Sequence, residues 1–254
     1  MQKIAIVDTT GRIPFAQLQG ATAAFQKQVS NHLAPVWLVN AVLTAYQFQT
    51  EVPSDEWQVL IKETLSIDVY GYHAVDASGR PFAVLKFNED WTHVVSHELM
   101  EMLVDPYGDK VLSGEIFAQS EGQEQILVEV ADPSQNKTFG YEIDGIMVSD
   151  FYFPAYFEPY KIAGKQYSYT GAIQEPRSIR VGGYVSFKDR VGDWWQAFNI
   201  DNEIIYRKLS TGQELTTSEQ GRVGRGIAIT LFLVGSVAFL IGIILRIKNN
   251  KQNG

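Results

Sequence analysis

Apolar positions change their period along this chain, and the changes mark out its elements. Residues 3–7 form a short apolar run closed by the polar Asp8-Thr9-Thr10-Gly11, which predicts a first strand. From Phe15 to Leu33 the apolar residues Leu18, Ala21, Phe25, Val29 and Leu33 recur at spacings of three and four, predicting a helix that Pro35 ends. Strands are expected over Trp37–Phe48 and Trp57–Leu60, separated by the turn Val52-Pro53-Ser54-Asp55. Ile67–Tyr72 and Phe82–Phe87 flank Asp76-Ala77-Ser78-Gly79 and read as a hairpin. Helical spacing returns between Trp91 and Val104, with Asn88-Glu89-Asp90 as an acidic start and Asp105-Pro106 as a stop.

The second half reads as loop and strand. Ile126–Val130 is a strand candidate, and Tyr141–Val148 predicts a tight hairpin turning at Asp144-Gly145. Tyr184–Phe187 should pair with Trp194–Phe198 across Asp189-Arg190-Val191-Gly192-Asp193. The aromatic run Phe151–Phe157 suits core packing better than a substrate groove. Asp144 and Asp150 suit turn chemistry better than metal binding, and His32 and His73 read as surface or edge residues.

One segment departs from this pattern. Gly226–Leu245 is 20 residues without a charge, about 30 Å as a helix, flanked by Arg222 and Arg225 and by Arg246, Lys248 and Lys251. The expected organisation is a globular body over 1–206, a polar juxtamembrane linker over 207–225, a transmembrane helix over 226–246 and a short basic tail over 247–254. The N-terminal apolar run is too short for a secretory signal. These features predict a single-pass membrane protein with a C-terminal anchor in the bilayer and its body on the cytoplasmic side. Ala238 and Gly242 give a small-xxx-small spacing that would suit homo-oligomer formation through the anchor.

Charge and composition narrow the partners. The chain has 254 residues and a net charge of −8. No acidic residue follows position 225, so the first 225 residues set 18 Lys and Arg against 29 Asp and Glu, a balance of −11. Such a body repels phosphate backbones, which disfavours nucleic acid. The absence of cysteine excludes disulfides and thiolate metal sites.

The chemistry concentrates on the second helix. His93, His97 and Glu101 recur every fourth residue, within an arc of about 80°. Val95, Leu99, Met102 and Leu103 take the opposite arc, which predicts a half-buried helix with separate ligand and core faces. His97-Glu98-Leu99-Met100-Glu101 resembles the zincin helix H-E-x-x-H, with Glu101 where that motif has its second histidine. His97 and Glu101 can share one cation, and Glu98 lies beside them as a general base. A third ligand must come from elsewhere: Glu129 and Asp132, at the end of an apolar strand, are the best candidates, Asp105 is nearer in sequence, and His93 lies one turn back. A carboxylate in place of an imidazole makes the bound water a weaker acid, so beside Zn²⁺ the harder Mn²⁺ and Ca²⁺ enter the expectation.

Three segments together resemble a family of bacterial and phage zincin-like metallopeptidases: Ser96-His97-Glu98-Leu99-Met100-Glu101-Met102-Leu103-Val104-Asp105-Pro106, Glu129-Val130-Ala131-Asp132-Pro133, and Tyr141 to Phe151. The plant Exordium-type proteins carry a similar H-E-L-x-E helix and a later E-x-A-D segment. The likeness runs from about Ile4 to Phe198, including Gly71-Tyr72-His73 and Gly182-Gly183-Tyr184-Val185-Ser186. It implies an α+β fold: a zincin-like twisted sheet packed on an active-site helix, then a β-rich C-terminal part. It further implies His97 and Glu101 as ligands, Glu98 as base, the Glu129 region as source of the third ligand, and a peptide or protein substrate. His93 stands outside the family pattern. The rival expectation is a non-catalytic structural or interaction protein, such as a phage virion component, built on a degenerate zincin scaffold.

Overall fold

The run Ile4-Ala5-Ile6-Val7 has no solvent exposure on either side, and a strand apolar on both faces suits the interior of a parallel sheet. It forms the middle of β1 (Gln2–Asp8) in the computed structural model of the chain, which describes residues 1–116, 124–212 and 214–216. The described residues fall into two compact units. Met1–Asp109 and Tyr141–Ser149 make the first, and Lys110–Gly140 with the described part of Asp150–Phe232 makes the second.

In the first unit β1 is followed by α1 (Phe15–Lys27), a π-helical turn (Gln28–Leu33) and the short α2 (Ala34–Trp37). The helical stretch does not stop at Pro35 as expected: Pro35 sits in the first turn of α2, where a missing N–H is tolerated, and the chain leaves the helix at Leu38, φ 58°. Strand β2 therefore begins only at Ala41 (Ala41–Tyr46), four residues later than the alternation predicts. β3 (Trp57–Lys62), β4 (Gly71–Val75) and β5 (Pro81–Lys86) complete a five-stranded sheet in the order β2-β1-β3-β5-β4. Its first four strands are parallel and the edge strand β4 is antiparallel to β5. The predicted hairpin is real but starts later: Ile67–Tyr70 precede β4 rather than belonging to it.

Helix α3 (Trp91–Val104) has the predicted limits. It packs on β4 and β5 and on the hairpin of β8 (Tyr141–Ile143) and β9 (Ile146–Val148). That hairpin turns at Asp144 (φ 53°) and Gly145 (φ 77°), the left-handed pair of a type I′ turn. The expectation of a half-buried helix is corrected: every residue from His93 to Val104 is buried, including both histidines and both glutamates.

The second unit is an antiparallel sheet in the order β13-β12-β11-β10-β7-β6. Its strands are β6 (Val111–Gly114), β7 (Glu124–Leu127), β10 (Tyr184–Lys188), β11 (Trp194–Ile200), β12 (Glu203–Lys208) and β13 (Glu214–Thr216). Arg207 and Lys208 end β12, and residues 214–216 pair with it as β13. The aromatic run is core. Tyr152 and Tyr156 stack at 4.3 Å with Phe157 edge-on to both, and Phe151 stacks on Tyr169 at 5.4 Å.

The chain is α+β with sheets, but the expected fold is corrected on one point. Among the described residues no helix is long and apolar enough to cross a membrane. The segment 226–246 and the tail 247–254, on which the anchor and its helix pairing were expected, lie outside the described residues.

Candidate metal centre

One helical turn brings His97 and Glu101 onto the same line, and their side chains meet with Nε2 3.1 Å from Oε2. Neither is exposed beyond 1 %. A carboxylate this deep would be expensive without a proton or a cation to balance it. The i, i+4 spacing read from the sequence thus yields a direct contact between the two proposed ligands.

Glu98 lies beside this pair. Its side chain is fully buried, and neither carboxylate oxygen accepts a hydrogen bond among the described residues. His73, from the edge strand β4, places Nδ1 3.8 Å from Oε2 of Glu98. The other imidazole nitrogen, Nε2, lies 3.1 Å from the Asp105 carbonyl oxygen. A carbonyl only accepts, so Nε2 carries the hydrogen in that bond. His73, Glu98 and Glu101 each bring one donor atom within 4.8 Å of the others, and all three are buried.

The electrostatics follow from this crowding. Burial pushes the Glu98 carboxyl up, and the Glu101 charge adds to the shift while His73 and His97 oppose it. For His73 burial disfavours the charged form, but Glu98, Glu101 and Asp105 outweigh it and the net shift is upward.

A hydrogen-bond network fixes the helix that carries these groups. Gln28, the first residue of the π-helical turn, donates from Nε2 to the Ser149 carbonyl at 3.0 Å and to the Tyr141 hydroxyl at 3.2 Å. Its Oε1 accepts from the Ser96 hydroxyl at 2.8 Å, and Ser96 Oγ accepts from the Ser149 N–H at 2.9 Å. Ser96 immediately precedes His97, so the π-helical turn, α3 and the residue that follows β9 are tied together beside the candidate ligands.

His93 is buried one turn upstream and is not part of the His73–Glu98–Glu101 cluster. Asp105 ends the helix, where its carbonyl holds His73 and its Oδ1 accepts from the Asp109 N–H. Glu129 and Asp132 belong to the second unit, both buried, and line a small cavity there with Ile126, Pro133, Tyr152 and Tyr156. Burial pushes the Tyr156 phenol far up; Arg177 opposes the shift and Asp132 reinforces it. Asp150 serves structure, accepting from the Ser134 hydroxyl and the Thr170 N–H.

Two histidines read as ordinary surface or edge residues have specific partners. His32 Nδ1 meets the Tyr141 hydroxyl at 2.8 Å. His73 is 4 % exposed and faces the helix. Gly71 and His73, alternate residues of β4, share a face, but only the packing of α3 makes that face an interior one.

Two imidazoles and two carboxylates are the donor types that Zn²⁺ and Mn²⁺ accept. The fit is chemical as well as spatial: buried His and Glu groups converge closely enough to hold a cation, and among the described residues no hydrogen-bond donor to the Glu98 oxygens replaces one. No family model, curated protein or solved structure matches this chain.

Proposed function

We propose that the chain is a metal-dependent hydrolase of the peptidase type, in which His97 and Glu101 hold a divalent cation and Glu98 is the general base. The observation that carries this reading is the buried His97–Glu101 contact at 3.1 Å beside the Glu98 carboxylate, which accepts no hydrogen bond among the described residues. A bound cation supplies Lewis-acid polarisation of a carbonyl and a more acidic water. Glu98 takes a proton from the attacking water on one carboxylate oxygen and returns it to the departing amine. Its upward shift, caused first by burial, makes the carboxylate a better proton acceptor than an exposed glutamate. Zinc is the first expectation for the ion, with manganese and calcium as the harder alternatives.

Elemental analysis of the purified chain tests the reading. Near-stoichiometric metal is expected in the wild type and its loss in His97→Ala. Glu98→Gln should keep the metal and lose hydrolysis of a labelled casein probe. Equal hydrolysis by that variant removes the base. Glu129→Gln and Asp132→Asn test the donor that the family resemblance assigns to their segment, with loss of metal expected in one of them.

A second reading, a non-catalytic scaffold, is favoured by the burial of α3 on all sides, since Glu98 and His97 show no exposed surface. A metal-free chain whose melting a chelator does not alter would establish it.

A further inference from the structure

Gly71 and His73 occupy alternate positions of β4 and face the same way, toward α3. Both meet one side chain. A Cβ added at Gly71 would lie 2.8 Å from Oε1 of Glu98, 3.0 Å from its Cγ and 3.1 Å from Cγ1 of Val94. Only a residue without a side chain leaves the Glu98 carboxylate the space it fills. His73 meets the same carboxylate at its other oxygen, Nδ1 to Oε2 at 3.8 Å, and is held from behind by the Asp105 carbonyl. One oxygen is thus confined by an absent side chain and the other by a fixed imidazole.

We infer that the edge strand β4 positions Glu98, with His73 orienting its carboxylate and Gly71 providing the space it occupies. This rests on the reading of Glu98 as the base. The role has a physical purpose. Glu98 and Glu101 lie close enough to share one cation, and a base that becomes a ligand is no longer a base. Seating Glu98 against β4 restrains its carboxylate from turning further toward Glu101. A gap of 3.8 Å is longer than a hydrogen bond, and catalytic contacts commonly tighten only when substrate is bound.

The test uses the full-length chain. In His73→Phe and Gly71→Ala, bound zinc should remain at the wild-type ratio while casein hydrolysis falls about 100-fold, a loss that a ~1 Å misplacement can cause. His73→Gln, whose amide can face both Asp105 and Glu98, should recover part of the rate. Loss of zinc in both His73 variants would make His73 a ligand and overturn the proposal, because a ring that donates Nε2–H to a carbonyl is also the posture of a metal-bound histidine. Unchanged hydrolysis in His73→Phe would overturn it as well. A readout independent of activity completes the set: the ¹⁵N resonance of His73 Nδ1 in the metal-free chain should move in Glu98→Gln. If it does not move, the β4 assignment fails whatever the chain hydrolyses. If it moves while the wild type hydrolyses nothing, the positioning contact stands and the hydrolase reading falls.

Discussion

Replacing Gln28 by Met removes the hub of the network behind the candidate ligands while nearly preserving side-chain volume. Gln28 has no exposed surface, so water cannot substitute for the bonds it loses. The substitution takes the acceptor from the Ser96 hydroxyl, bonded at 2.8 Å, and a donor from the Ser149 carbonyl, bonded at 3.0 Å. Tyr141 is affected less, since its hydroxyl also meets His32 at 2.8 Å. Each buried group deprived of a partner costs ~1–3 kcal/mol, and similar volume keeps the packing contribution small, so a loss of about 2–4 kcal/mol is expected. Urea unfolding followed by tryptophan fluorescence measures it, as a lower midpoint at unchanged slope. Ser96→Ala should cost a similar amount. The double variant should cost less than the two together, because both single changes break the same 2.8 Å bond. A loss below ~0.5 kcal/mol for Gln28→Met, or strict additivity in the double variant, would refute the network as a source of stability.

Three further outcomes are expected. Glu101→His restores two imidazoles one turn apart, and should raise affinity for zinc relative to manganese in competition dialysis. Gly183→Ala places a Cβ 2.3 Å from the Pro133 carbonyl oxygen, a backbone atom that cannot swing aside, and should destabilise the second unit by ~1–3 kcal/mol in the same urea assay. Asp76 is held down to about 2 from its ordinary value of 3.8, chiefly by the Ser78 hydroxyl and the Arg80 N–H. A depressed acid contributes stability above its unfolded value and loses it on acidification, here as pH falls from 3.8 through about 2. Ser78→Ala should therefore move the Asp76 carboxyl titration upward when followed by NMR.

What the sequence disclosed was mostly local. β1, α3 and the turn at Asp144-Gly145 were legible because they depend on periodicity, stop signals and backbone preference within a few residues. The His97–Glu101 contact was legible for the same reason, since helical geometry alone brings i and i+4 together. His73 was not, because its burial depends on β4 pairing with β5 and on α3 covering that edge. The Gln28 network escaped notice for a similar cause: it joins residues 28, 96 and 149, whose polar side chains look solvent-facing along the chain. A helical pattern with a polar stripe suggested one wet face. Instead the stripe is buried with its own ionisable partners, a distinction that pattern alone does not draw.

The return of Tyr141–Ser149 to the first unit has a consequence for biogenesis. Gln28 and Ser149 are 121 positions apart, and everything between them must be synthesised before their bond can form. At ribosomal rates of ~5–20 residues per second, α3 emerges several seconds before the hairpin that braces it. During that interval a nascent chain already carries His97 and Glu101 without the clamp at Ser96. Cleavage anywhere within residues 110–140 would leave α3 and its hairpin on separate fragments, so the continuity of this connecting stretch keeps the brace covalently tied to the helix it holds.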